Sequence, residues 1–104
     1  GRSLGKLSLD DCFVDLIKAP SGQASALIID PAANYGVRVT ALSPEIQAIQ
    51  IAAPVNSPFI ALEPQFHWTD PFSAIWGKDA RTGMVILKPG ESVSYSVKLE
   101  LFIP

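Results

Sequence analysis

Short apolar runs separated by turn residues form the dominant pattern along this chain. Clusters of Pro, Gly, Asn and Asp recur at short intervals, and the runs between them are rich in Val, Ile, Leu and Phe. This spacing is typical of an all-β sandwich or barrel and differs from that of alternating βαβ units. We therefore predict an antiparallel β-sandwich with strands at 12–18, 24–30, 37–42, 46–52, 59–63, 84–87 and 92–102.

The clearest of these strands is 92–102. Val, Tyr, Val, Leu and Leu at alternate positions from 93 to 101 are separated by Ser, Lys and Glu, which predicts one buried and one solvated face. The preceding Lys-Pro-Gly predicts a tight turn with φ > 0 at Gly90, joining 84–87 and 92–102 as a hairpin. The run 46–52 is apolar on both faces, which favours a central or covered strand.

One helical turn is predicted, within 70–77. Asp70 would be its N-cap and Pro71 its first helical residue, because both residue types favour those positions. Gly77 would end the turn.

Composition limits the range of functions. A chain of 104 residues is expected to form a single domain, and 48% hydrophobic against 17% charged residues excludes intrinsic disorder. The high apolar fraction also indicates a face meant for a neighbour, so we expect self-association. A net charge of −2 without a basic stripe argues against nucleic-acid binding, and no apolar run is long enough to predict a membrane span.

Cysteine and histidine usage argues against two further kinds of site. Cys12 is the single cysteine, which excludes an internal disulfide, and one histidine makes a zinc site improbable. The opening residues Gly-Arg-Ser-Leu-Gly look like the middle of a protein. We therefore expect the chain to be part of a longer one.

The segment around Glu63 is the most chemically dense part of the chain. Glu63 follows the apolar run 59–62 and directly precedes Pro64, which is expected to end the strand because proline cannot donate to a sheet ladder. A carboxylate at the junction of strand and loop is well placed for acid–base chemistry. The loop that follows carries aromatic residues, His67 and Asp70.

Several segments together resemble the C-terminal part of the aldose 1-epimerase (galactose mutarotase-like) family. They are Leu-Glu-Pro-Gln at 62–65, Asp-Pro-Phe at 70–72, the segment from Gly83 through Lys-Pro-Gly-Glu to Phe102, and an Asp-x-x-Phe segment at 10–13. The resemblance implies that the chain is the C-terminal portion of a large antiparallel supersandwich. It also implies interconversion of the α and β anomers of aldoses such as galactose or glucose, with no cofactor.

The resemblance assigns roles to two residues. Glu63 would be the general base that takes the proton of the C1 hydroxyl, and Asp10 would bind the sugar. The family's general acid, a histidine, lies upstream in sequence that this chain does not contain, so we expect the chain alone to be nearly inactive. Ring opening needs both proton transfers, and each works best with a pKa near the working pH.

The aromatic residues beside Glu63 have a possible part in this chemistry. Phe66 and Trp68 are candidates for binding the sugar ring and for partly desolvating Glu63, which would raise its pKa. On this hypothesis, Glu63 shares a cleft with Asp10 and the 66–68 loop. His67 is expected to be an ordinary loop histidine.

Two alternatives from other classes remain open. The chain could be a carbohydrate-binding β-sandwich without catalysis, or a structural domain that associates through its apolar face. In either case Glu63 would be a solvated carboxylate, Asp10 a turn residue, and Phe66 and Trp68 packing residues of the loop.

Overall fold

The computed structural model describes residues 3–78 and 80–104, and this part of the chain is all-β apart from one 3₁₀ turn. The strands are β1 (Leu9–Phe13), β2 (Ser25–Asp30), β3 (Tyr35–Ala41), β4 (Ala48–Ala53), β5 (Ala61–Gln65) and β6 (Val97–Phe102). They form two three-stranded antiparallel sheets, the first in the order β1-β4-β5 and the second in the order β2-β3-β6. The predicted all-β class with antiparallel sheets is confirmed.

The buried core is made of small or medium side chains. Its buried apolar members are Ala24, Val39, Ala41, Ile46, Ala48, Ile49 and Ala53. No large side chain of the described residues is fully buried. The sheets are also joined by Tyr95, whose hydroxyl donates to the Pro64 carbonyl oxygen at 2.7 Å while its ring packs edge-on against Phe66.

Strand β5 lies two residues later than predicted, and this changes the position of Glu63. The prediction ended the strand at Glu63, but β5 continues through Pro64 to Gln65, so Glu63 is in mid-strand. The Gln65 carbonyl accepts from the Gln47 amide beside β4, so Gln65 directs its backbone groups toward β4. Because these directions alternate along a strand, Pro64 directs its nitrogen away from β4, at the sheet edge, and no ladder bond is lost.

The predicted hairpin of 84–87 with 92–102 is wrong, although its turn exists. Gly90 has φ 87°, and the Glu91 amide donates to the Lys88 carbonyl at 3.0 Å. Segment 84–87 forms no strand, and β6 begins only at Val97 and pairs with β3. A turn fixes only the few residues that it contains, and pairing beyond it is decided by which strand offers the better partner.

The predicted burial of alternate positions on β6 also fails. Leu99 and Leu101 lie on the face that carries Val37 and Val39 of β3, but they are 70% and 80% exposed. The first sheet does not extend over this edge strand. The pattern predicted the face correctly, but it could not show whether that face is covered.

The remaining strands are close to their predicted positions, with one exception. The first was predicted at 12–18 and is observed at Leu9–Phe13. Acidic residues at 10 and 11 are accommodated because β1 is an edge strand and both are exposed. The helical turn is confined to Ala74–Trp76, where the N-cap is Ser73 in place of the predicted Asp70 and Gly77 ends the turn as predicted.

Candidate functional site

The first sheet places Asp10 and Glu63 on the same face. In its register Cys12 lies opposite Gln50 and Gln50 lies opposite Glu63, while Asp10 lies opposite Ala52, two residues along the same face. Opposed residues of antiparallel strands share a face, as do positions i and i+2 of one strand. We call the face that carries Asp10, Cys12, Gln50, Glu63 and Gln65 the polar face.

Gln50 lies at the centre of the polar face and forms hydrogen bonds through both the nitrogen and the oxygen of its side-chain amide. Its Nε2 donates to Asp10 Oδ1 at 2.8 Å, and its Oε1 accepts from Thr69 Oγ1 at 2.8 Å. Glu63 is its neighbour on β5. The two carboxylates singled out in the sequence therefore lie on either side of one ordered amide, with β1 and β5 about 10 Å apart across β4.

The loop after β5 returns to the polar face at Thr69. Gln65 Nε2 donates to Thr69 Oγ1 at 3.3 Å, and the Thr69 amide donates to Cys12 Sγ at 3.4 Å. Trp76 also holds this part of the loop in place, because its Nε1 donates to the carbonyl oxygens of Thr69 and Asp70 at 3.0 and 3.1 Å. The loop is thereby attached to both edge strands of the first sheet.

The polar face is open to solvent. Asp10 and Glu63 are exposed, and Gln50 and Gln65 are half-buried. Amides and hydroxyls that are held in place by one another, between two accessible carboxylates, can donate to and accept from the hydroxyl groups of a polar ligand. Such an arrangement suits a neutral, hydroxyl-rich molecule better than an anion, because the only charges on it are negative.

The aromatic candidates of the loop lie apart from Glu63. Phe66 packs its ring against Tyr95 with centroids 5.7 Å apart. Trp68 packs edge-on against Trp76 at 4.9 Å and also lines an open cleft of about 480 Å³. The lining of that cleft includes Asp15, Glu45 and Arg81 but neither Asp10 nor Glu63. The structure therefore does not bring Asp10, Glu63, Phe66 and Trp68 into one cleft as the sequence predicted.

His67 occupies an exposed position in the same loop. Its Nδ1 lies 2.9 Å from the carbonyl oxygen of Trp68, its neighbour in the chain. This local contact fits the expectation of an ordinary loop histidine. In the described residues, no group of three or more His, Cys, Asp or Glu side chains is arranged to hold a metal ion.

Sequence reasoning missed Gln50 and Thr69, which organise the polar face. One signal for Gln50 was present, since it is the one polar residue in the apolar run from Ala48 to Ala53. A lone polar side chain in such a strand needs a partner, and a partner implies a polar neighbour on the same face. Thr69 carried no signal, because only the folded loop brings it next to β4.

Comparisons with protein-family models, with curated proteins and with solved structures found no match to this chain. Across the described residues, no helix has the length and apolar character needed to cross a membrane.

Proposed function

We propose that the polar face binds an aldose and that Glu63 acts on it as the general base of an aldose 1-epimerase-like isomerase. The observation that supports this proposal is the placement of Asp10 and Glu63 on one sheet face, with Gln50 between them, hydrogen-bonded to Asp10 and opposite Glu63 in the strand register. These residues are 53 positions apart in the chain, and the resemblance in sequence assigned both of them to a sugar site.

In this mechanism each group of the polar face has one task. Asp10 accepts from a sugar hydroxyl, while the Gln50 amide keeps the carboxylate oriented. Glu63 takes the proton of the C1 hydroxyl, and its exposed mid-strand position gives the sugar access to it. The electron pair of the O–H bond then forms the C1 carbonyl as the bond from C1 to the ring oxygen breaks, and the ring oxygen takes a proton from a general acid.

The general acid is assigned to a group outside these residues. His67 is the one histidine of the chain, and its Nδ1 is turned to the Trp68 carbonyl. On this proposal the chain supplies the base and part of the sugar site of a longer protein. By itself it should bind aldoses weakly and accelerate mutarotation little, because each partner of an acid–base pair contributes about 10²–10⁴-fold.

A non-catalytic carbohydrate-binding module is the second candidate. It is favoured by the neutral groups of the polar face, since Gln50, Gln65 and Thr69 form one hydrogen-bonded chain that ends on Asp10. Such a face would bind sugar hydroxyls without any proton transfer. The two candidates share the binding surface and differ in what Glu63 does.

Glu63→Gln tests the base and separates the two candidates. In the longer protein it should lower the kcat of galactose or glucose mutarotation, followed by polarimetry, by at least about 10²-fold with little change in stability. Sugar binding, followed by amide chemical shifts, should persist. Glu91→Gln is the matched control, because Glu91 is an exposed glutamate in the turn after Gly90.

The outcomes of this experiment are distinct. Wild-type mutarotation by the Glu63→Gln protein would rule out Glu63 as the base. Binding that disappears in Asp10→Asn, with no mutarotation in any form of the protein, would favour the binding module. Full activity from these 104 residues alone would contradict the assignment of the acid to another segment and would point to His67.

A further inference from the structure

The outer edge of β6 is a strand edge without a partner among the described residues. β6 ends the second sheet, and Leu99 and Leu101 on it are 70% and 80% exposed. Unpaired edges are templates for pairing with another chain. We propose that β6 pairs with β6 of a second copy, antiparallel about a twofold axis at Leu99, so that the two second sheets become one sheet of six strands.

The backbone of β6 points the required groups outward. Ser96, just before β6, accepts through its carbonyl oxygen from the Leu42 amide beside β3, at 3.0 Å. Backbone groups alternate sides along a strand, so the even-numbered residues of β6 face β3. The N–H and C=O groups of Val97, Leu99 and Leu101 are consequently directed to the free edge. With the twofold axis at Leu99, the outward N–H and C=O groups of one copy lie opposite those of the other copy and form hydrogen bonds with them.

Charge selects this register over its neighbours. An axis at Lys98 would place Lys98 against Lys98 of the second copy, and an axis at Glu100 would place two glutamates together. An axis at Leu99 places Lys98 opposite Glu100 twice. Like charges directly opposed across strands are destabilising and opposite charges are favourable, so the β6 edge is complementary to itself in one register.

The same register brings the exposed leucines of the two copies next to each other. It sets Leu99 against Leu99 of the second copy, and Val97 against Leu101, all on one face of the joined sheet. The free edges of β2 and β5 are less suitable. Leu27 and Ile29 on β2 are 49% and 46% exposed, and the outer edge of β5 carries Pro64, whose carbonyl already accepts from Tyr95.

Charge exchange at positions 98 and 100 tests the proposal by sedimentation velocity on the whole chain. The wild-type chain should dimerise reversibly, and K98E or E100K alone should raise the dimer Kd by at least about tenfold. An equimolar mixture of K98E and E100K should recover the wild-type Kd, because every carboxylate then faces an ammonium group. Raising the salt concentration should reduce these differences.

A second pair of variants tests the position of the axis without altering Lys98 or Glu100. Leu99→Lys would place two lysine side chains opposite each other across the axis, so this variant should be a monomer. Leu27→Lys changes β2, which is not at the proposed interface, and should leave the dimer unchanged. Far-UV circular dichroism and the denaturation midpoint check that each variant is folded. A wild-type chain that stays monomeric at high micromolar concentration would overturn the proposal. A dimer unaffected by K98E, E100K and Leu99→Lys, or a mixture that fails to recover it, would do the same.

Discussion

At the scale of single residues, two glycines with similar backbone angles face different surroundings. Gly83 has φ 76°, and a Cβ there would lie 2.6 Å from the Phe66 carbonyl oxygen. Gly90 has φ 87°, and a Cβ there would meet nothing within 4 Å. Both positions favour glycine because of their positive φ. Only at Gly83 does the absence of a side chain also let another backbone segment come close, at Phe66, next to the hydrogen bond from the Trp68 amide to the Thr82 carbonyl oxygen.

We predict that Gly83→Ala destabilises the domain by about 2 kcal/mol or more, and Gly90→Ala by about 1 kcal/mol. Gly83→Ala combines backbone strain at positive φ with a steric overlap between the new Cβ and the Phe66 carbonyl oxygen, a main-chain atom that cannot rotate out of the way. Gly90→Ala introduces the backbone strain alone. Urea denaturation of both variants and the wild type measures the difference. Equal midpoints for the two alanine variants would show that the approach of Phe66 to Gly83 has no energetic weight.

At the scale of elements, β6 carries a small charge cluster that joins it to β3. Lys98 Nζ lies 3.0 Å from one Glu100 oxygen, and Arg38 lies 3.8 Å from the other. The hydrogen bond from Lys98 lowers the pKa of Glu100 below its ordinary value, and the charges of Lys98 and Arg38 act in the same direction. Because the folded pKa is the lower one, this stabilisation is present above the unfolded pKa and is lost as pH falls through the folded pKa.

Removal of Lys98 should therefore raise the pKa of Glu100 toward its ordinary value. The carboxyl carbon of Glu100, followed by NMR through an acid titration of wild type and Lys98→Ala, measures this change. Lys88→Ala is the matched control, since Lys88 lies in the turn before Gly90 and forms no ion pair with Glu100 within the described chain. An unchanged Glu100 titration in Lys98→Ala would mean that the contact does not persist in solution.

At the scale of the whole molecule, the sheets are held together by few contacts. The Cα radius of gyration is 15.4 Å. A compact domain of this length is expected to have about 13 Å. The Tyr95 hydroxyl joins the segment before β6 to β5 of the first sheet. The Ser43 hydroxyl, which donates to the Ser94 carbonyl at 2.9 Å and accepts from the Ser96 amide at 2.7 Å, joins two segments of the second sheet. With a core of small side chains, the Tyr95 bond contributes to fixing one sheet against the other.

Tyr95→Phe should lower the free energy of unfolding by about 1 kcal/mol, because it removes the bond to Pro64 and leaves the ring on Phe66. Tyr35→Phe is the control, since Tyr35 is an exposed tyrosine at the start of β3. Thermal denaturation of the two variants provides the comparison. Equal effects of the two substitutions would show that the hydroxyl of Tyr95 contributes nothing specific.

The sequence by itself determined the class of fold and several local features, because these depend on neighbours in the chain. Alternation and turn residues were enough to predict antiparallel strands, the bend with Gly90 at positive φ, and the end of the short helix at Gly77. The local setting of Glu63, between an apolar run and a polar loop, was also enough to single it out, whereas Asp10 became a candidate only through the resemblance in sequence. Each of these inferences needs only residues a few positions apart.

Only the tertiary structure decided which strands pair, which faces are covered and which side chains meet. Pro64 remains within β5 because its nitrogen lies on the free side of an edge strand, a fact of sheet order. Leu99 is exposed because the first sheet stops short of β6. Asp10 and Glu63 share a face because β4 lies between their strands and brings Gln50 to the centre. Pairing partners and covering layers come from distant parts of the chain, and periodicity within one strand contains no information about them.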